Sequence, residues 1–315
     1  MHHINLTYLA ATAKGMVPAS LKTRDGATLA FKTLPARGQH WGTILVLHGM
    51  GMDSHYYLTL GNLLAAKGLN VALMDFRGHG DSSGVSGDAN TPTDYRDDLR
   101  EAVEAFQGDG PLFIFSHSGA AVAAIDLMSQ DDAPEIAGYA MIAPTISGDS
   151  GLTRTPNPGV DVSAVSRYLL KFRPEKVLSA QEAKFCPKFN FKKFLLARAT
   201  GLQSRLRVLS FESVRPNEPD FSYTARAATN MINTWPDTQL SKMRCPVFLI
   251  TSKCDPIVNS DAIATRLPWA FGPDVALEHT VLPRGDHFTV TLLAAPLVAT
   301  WLRTLCPSDD GECAA

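Results

Sequence analysis

Apolar positions along the chain follow two periods. Short runs that are apolar at nearly every position recur at Thr43–Leu47, Asn70–Met74, Pro111–Phe115, Ile136–Ala143 and Val247–Thr251, and Ala276–Leu282, with Glu278-His279-Thr280 at its centre, supplies one more strand. A strand buried on both faces reads this way, so the runs predict strands of a mostly parallel sheet. Between them the spacing turns helical. Tyr57, Leu60 and Leu64 share one face of Tyr56–Lys67, which stops at Gly68. Tyr95, Leu99, Val103 and Phe106 form the inner stripe of a helix that Thr93 or Asp94 can cap. An alanine-rich helical pattern starts behind Gly119, and Leu292–Leu302 predicts a buried terminal helix. Upstream, Val17–Leu34 holds two extended runs broken by Asp25-Gly26, a hairpin signal. Strands alternating with helices over short connections call for an α/β fold, a sheet with helices on both faces.

The alternation breaks between Thr145 and Asp237. This segment shows no clear buried strand, several prolines, and helical patches at Val162–Phe172 and Phe189–Thr200. It falls between two strands of the sheet, so it reads as an insertion (145–237) into a core made of 1–144 and 238–315. Its 14 Lys+Arg against 8 Asp+Glu give a net +6, while the whole chain is −2. A solvated basic face is the plain explanation; a preference for anionic substrates or an anionic surface is the functional one. Phe172, Phe185, Phe189, Phe191, Phe194, Phe211 and Phe221 also lie here, enough to pack a small lobe and to line an apolar pocket.

Length and composition fit that division. At 315 residues the chain exceeds the usual single core, and a hydrophobic share of 45% against 19% charged supports a large buried interior. The near-neutral balance gives no footprint for nucleic acid. No apolar run reaches membrane-spanning length, since Leu292–Leu302 is short and carries Pro296. Asn5, Thr7 and Thr12 interrupt the N-terminal apolar residues, which makes a poor signal peptide and a cytoplasmic location the expectation. The five cysteines, Cys186, Cys245, Cys254, Cys306 and Cys313, show no zinc or disulfide framework, so reduced thiols are expected, with a Cys306–Cys313 bridge left open.

The candidate chemistry gathers around Phe113-Ile114-Phe115-Ser116-His117-Ser118-Gly119-Ala120. A strand runs into a serine flanked two positions away by small residues, and a helix follows at once. That is the sequence form of a nucleophile elbow, with Ser116 and Ala120 where glycines are usual. Taken alone, the stretch reads equally well as a strand-to-helix loop with Ser116 or Ser118 as N-cap. A serine nucleophile needs a base, and the base needs a carboxylate; on an elbow scaffold they follow in the order Ser, acid, His. Asp255, in Ser252-Lys253-Cys254-Asp255-Pro256, follows one strand run, and His287, in Arg284-Gly285-Asp286-His287-Phe288, follows another. Both therefore fall at the carboxyl edge, where open sheets place their sites. A turn-forming aspartate and a surface-loop histidine are the competing readings, and Asp286 and Asp261 are rival acids. For an oxyanion, Gly119 offers one backbone N–H and His48-Gly49-Met50-Gly51 offers a second, from Met50.

Together these stretches resemble the α/β-hydrolase family, and within it the serine hydrolases that include monoacylglycerol lipases and lysophospholipases. The matching segments are His48-Gly49-Met50-Gly51, Asp75-Phe76-Arg77-Gly78-His79-Gly80-Asp81-Ser82, Ser116 to Ala120, Cys254-Asp255-Pro256-Ile257-Val258 and Gly285-Asp286-His287-Phe288. The resemblance implies Ser118 as nucleophile, Asp255 as acid, His287 as base, Met50 and Gly119 as oxyanion donors, and a helical cap at 145–237. It assigns His79 to a structural turn, and His117 is expected to pack beside the elbow. No metal-ligand spacing occurs, and no cofactor is implied. The expected activity is cleavage of a small carboxylic ester, thioester or lactone, with an apolar acyl or aromatic group and room for a nearby anion. The same triad serves C–C or amide cleavage and acyl transfer, and a binding protein that kept the fold is the reading from another class. Substrate-binding residues within the cap and the oligomeric state stay open.

Overall fold

A computed structural model describes residues 15–108, 110–146, 152, 188–211, 220–231 and 236–306. The core is an eight-stranded sheet. β1 (Val17–Lys22) and β2 (Thr28–Leu34) form the expected antiparallel hairpin, with Gly26 at φ 90° in its turn. β2 lies antiparallel beside β4 (Leu69–Met74), which is followed across the sheet by β3 (Gly42–Leu47), β5 (Leu112–His117), β6 (Gly138–Ile142), β10 (Val247–Ser252) and the edge strand β11 (Leu277–Leu282). From β4 to β11 every pairing is parallel. β5, β6 and β10 are buried along their whole length, which explains their unbroken apolar runs.

Strand order fixes the helix layers. The step from β3 to β4 through α1 (Leu58–Ala65) runs one way across the sheet. The steps through α2 (Asp94–Phe106) and α3 (Ala120–Met128) run the other way. Right-handed crossovers then place α1 on one face and α2 and α3 on the other. The last helix, which follows β11, packs against α1. Tyr95, Leu99 and Val103 of α2 are fully buried, as the stripe predicts. The Tyr95 hydroxyl is buried without a hydrogen-bond partner among the described residues. An unpaired buried hydroxyl costs more than it returns. Tyr95→Phe should therefore raise unfolding stability by about 1 kcal/mol in urea titration.

The chain between β6 and β10 corrects one expectation. Expected to be a helical cap with no clear buried strand, it contains a three-stranded antiparallel sheet in the order β7 (Lys188–Phe189), β8 (Arg207–Phe211), β9 (Phe221–Thr224). These strands have two, five and four residues, too short to show a period in sequence. They are held by packing instead, with Val208, Leu209, Tyr223 and Thr224 buried. The helix expected at Phe189–Thr200 is present as α4 (Phe191–Thr200), capped where the Asn190 side chain accepts the Lys193 N–H at 3.0 Å. The patch Val162–Phe172 and Cys313 lie outside the described residues. Two short helices, α5 (Ala225–Thr229) and α6 (Pro236–Leu240), lead back to the sheet. α7 (Ser260–Arg266) follows β10, and α8 (Thr289–Thr304) follows β11 and closes the described chain. No described helix is long and apolar enough to cross a membrane.

Candidate active site

β5 ends at His117, and α3 begins at Ala120. The chain must reverse from strand to helix within Ser118-Gly119. It does so by putting Ser118 at φ 56°, a left-handed conformation that a residue with a Cβ rarely adopts. The Ser118 N–H donates to the Ile142 carbonyl at 3.0 Å, which holds the strained residue against β6. Ser118 does not cap α3; the N-cap is Gly119. Ser116 and Ala120 are fully buried at either side of the turn. The extra hydroxyl of Ser116, where a glycine is usual, is absorbed by Tyr139 Oη at 2.6 Å on neighbouring β6.

Two loops from the same carboxyl edge meet Ser118. His287 lies between β11 and α8, and its Nε2 is 2.9 Å from Ser118 Oγ. Its Nδ1 is 2.8 Å from Asp255 Oδ2, in the loop after β10. The other carboxylate oxygen of Asp255 accepts the N–H groups of Ile257 and Val258 at 2.8 and 2.9 Å. Asp255, His287 and Ser118 are all at least 94% buried. The carboxylate fixes the imidazole tautomer: Nδ1–H faces Asp255, so Nε2 is left to accept from Ser118. The rival acids do other work. Asp286 Oδ1 accepts from the N–H groups of Phe288 and Thr289 at the start of α8. Asp261 sits in the first turn of α7.

The loop after β3 lies over the elbow. A Cβ at Gly49 would stand 3.1 Å from the Cβ of Ser118, tighter than an ordinary van der Waals contact, so a side chain there would push on the elbow. The Met50 side chain lies against Gly119. Among the described residues neither the Met50 N–H nor the Gly119 N–H has a hydrogen-bond partner. Two free amides beside a buried serine are what a developing oxyanion requires.

Four further residues border the site, of which Thr145 and Tyr223 carried no signal in the sequence beyond residue type. Thr145 Oγ1 is 3.4 Å from Ser118 Oγ. His117, expected to pack beside the elbow, does so as a bridge: its Nε2 is 2.7 Å from the His287 carbonyl and its Nδ1 2.6 Å from Tyr57 Oη. Burial holds its pKa well below the usual imidazole value, and the nearby His287 adds to that. Tyr57 Oη in turn accepts the Gly49 N–H at 2.8 Å. Tyr223, from β9, reaches the same loop at Gly51.

Comparisons with known proteins agree with this architecture. Residues 38–270 match the family model described as serine aminopeptidase, S33. Among curated proteins, an uncharacterised abhydrolase domain-containing protein of Dictyostelium discoideum is 31% identical over 130 residues, or 41% of this chain. The aligned segment spans only 14% of that relative. Among solved structures, a soluble variant of the monoglyceride lipase of Saccharomyces cerevisiae superposes with a TM-score of 0.64 at 15% identity, over 94% of this chain and 98% of that one. A thermostable carboxyl esterase of Bacillus coagulans gives 0.63 at 16% identity, over 93% and 99%. Identities this low speak for the fold, whereas the family match extends over most of the chain. The chain belongs to the serine aminopeptidase, S33 family and is an α/β-hydrolase.

Proposed function

We propose that this protein is a serine hydrolase that cleaves a carboxylic ester, thioester or lactone through an acyl-enzyme. The observation that carries the reading is the buried chain of hydrogen bonds from Ser118 Oγ through His287 to Asp255, at a strained elbow. In this reading Ser118 attacks the acyl carbon while His287 Nε2 takes its proton. The Met50 and Gly119 N–H groups receive the oxyanion. His287 protonates the leaving alcohol, then draws a proton from water for deacylation. Asp255 holds the tautomer throughout and stabilises the imidazolium. None of these steps calls for a cofactor.

The 145–237 insertion acts as the substrate-binding cap in this proposal. Phe211, which lies against Gly51, and Phe221, which stacks on His79, favour an apolar acyl or aromatic group. Esterase and lipase neighbours in the fold comparison support the ester bond. A second reading is amide cleavage, which the family description favours. Against it stands the net +6 of the insertion, a poor surround for the cationic amine of an aminopeptidase substrate.

The test sets p-nitrophenyl esters of graded acyl length against aminoacyl p-nitroanilides, with fluorophosphonate labelling in parallel. Ester turnover with labelling is expected. Anilide turnover above ester turnover would move the assignment to amides. A folded protein that neither labels nor turns over either series would be a binding protein on a hydrolase scaffold.

A further inference from the structure

The oxyanion loop is held at both ends by the same device. At one end the Gly49 N–H donates to Tyr57 Oη, and Tyr57 Oη lies 2.6 Å from His117 Nδ1. At the other end the Gly51 N–H donates to Tyr223 Oη at 2.7 Å, and Tyr223 Oη lies 2.8 Å from His79 Nε2. Each histidine is anchored by its second nitrogen to a backbone carbonyl, His117 to His287 and His79 to Arg77. A carbonyl only accepts, so that nitrogen carries the ring proton. Burial keeps both rings neutral, with His79 lowered to about 3. The remaining nitrogen is then an acceptor, each tyrosine O–H donates to it, and each tyrosine oxygen is left to accept from a glycine amide. Proton directions along both chains are therefore fixed: Gly N–H to Tyr O–H to His.

Between Gly49 and Gly51 stands Met50, whose N–H has no partner among the described residues. Tyr57 belongs to the core, just before α1. Tyr223 belongs to the insertion, 172 positions from Gly51 in sequence. A second residue of the insertion, Phe211, presses on the same point. Its ring would lie 2.7 Å from a Cβ at Gly51, which itself sits at φ 72°. Neither contact belongs to a loosely seated lobe. Tyr223 is fully buried, its neighbour Thr224 donates its N–H to the Gly87 carbonyl at 2.9 Å, and Thr224 Oγ1 donates to Asp88. The Asn230 side chain bridges to Tyr95 and Thr91 at the start of α2.

We infer that Tyr223 is a positioning residue for the oxyanion hole: the insertion, through its Tyr223 hydroxyl, locks the Gly51 amide and so aims the Met50 N–H. The β8–β9 hairpin is then part of the catalytic scaffold as well as a cover for substrate. This rests on the serine-hydrolase reading above. It deepens that reading by giving the insertion a role in the rate of the chemical step, apart from any role in binding. An amide rotated away from the developing charge loses stabilisation in the transition state and little in the ground state. The signature is a fall in kcat with KM held.

The experiment compares the parent with Ser118→Ala, Tyr223→Phe, Phe211→Ala and Tyr95→Phe on p-nitrophenyl butyrate, with inhibition by a simple alkyl boronic acid, which forms a tetrahedral adduct on an active serine. Tyr223→Phe keeps the ring and removes the hydroxyl, and with it both the lock on the Gly51 amide and the hydrogen bond to His79 Nε2. A kcat lowered about 10-fold or more is expected, with KM within about 2-fold and boronic acid inhibition weakened in step with kcat. Phe211→Ala should move kcat in the same direction without touching the Tyr223 hydroxyl, so the inference stays testable if Tyr223→Phe folds poorly. Tyr95→Phe, the same change at a buried tyrosine whose hydroxyl has no hydrogen-bond partner among the described residues, should match the parent. Parent-like kcat and boronic acid inhibition in both Tyr223→Phe and Phe211→Ala would overturn the inference. So would a change confined to KM in Tyr223→Phe. Full activity in Ser118→Ala would instead overturn the serine-hydrolase reading, which keeps the two failures distinct.

Discussion

Ser118→Ala is expected to lower kcat for a p-nitrophenyl ester by about 10⁴-fold or more, with KM and thermal unfolding close to the parent. The size follows from what the side chain does in the proposed reaction. Ser118 Oγ is the atom that forms the acyl bond, and the two free amides beside it have nothing to stabilise without that bond. The fold should tolerate the change. Ser118 contributes no cap to α3, and its hydroxyl contacts only His287 Nε2 and, at 3.4 Å, Thr145 Oγ1 among the described residues. Alanine at φ 56° carries the same kind of strain as serine, which the Ser118 N–H to Ile142 bond already holds. Steady-state kinetics with fluorophosphonate labelling check the result, and labelling that persists at another serine would refute the assignment.

Asp255→Asn is expected to cost about 10³- to 10⁴-fold in kcat while leaving the fold intact. The reason lies in the two sides of the carboxylate. Oδ1 accepts two backbone N–H groups, from Ile257 and Val258, and Oδ2 faces His287 Nδ1. An asparagine there is oriented by the two backbone donors, which demand its oxygen. Its NH₂ is thereby turned toward His287 and must donate to Nδ1. The imidazole responds by moving its proton to Nε2, which then points an N–H at Ser118 in place of a lone pair. The base is present, in position and in the wrong tautomer. Measured kcat against pH, with circular dichroism as the fold control, tests this. An asparagine variant within about 10-fold of the parent would show that Asp255 does not set the tautomer.

The residues at the centre of these predictions were the legible ones, for a local reason. Ser118, Asp255 and His287 each follow an apolar strand run by a few positions, and a parallel sheet delivers every such strand end to one edge. Chain order and strand periodicity therefore sufficed to nominate them. The choice of Asp255 over Asp286 and Asp261 needed coordinates. All three sit in turns or helix starts, and only their partners tell them apart: backbone amides of α8 for Asp286, His287 for Asp255. Ser116 likewise competes with Ser118 on paper, and the Tyr139 hydroxyl shows where it points.

The insertion marks the limit of the sequence. Its strands are too short to print a period, so its pattern reads as helical, and nothing in the sequence singles out Tyr223. What sequence determined by itself was the alternation of strands and helices in the core, the parallel sheet and the nomination of Ser118, Asp255 and His287 at its carboxyl edge, because each depends on short-range periodicity and on where strands end. What only the tertiary structure decided was which groups hold the loop from His48 to Gly51. The Gly51 to Tyr223 bond joins residues 172 positions apart, and the tautomer of His79 that makes Tyr223 an acceptor follows from burial and from the Arg77 carbonyl. Contacts of that kind leave no periodic trace, because they are set by how two folded lobes meet and not by the spacing of residues within either one.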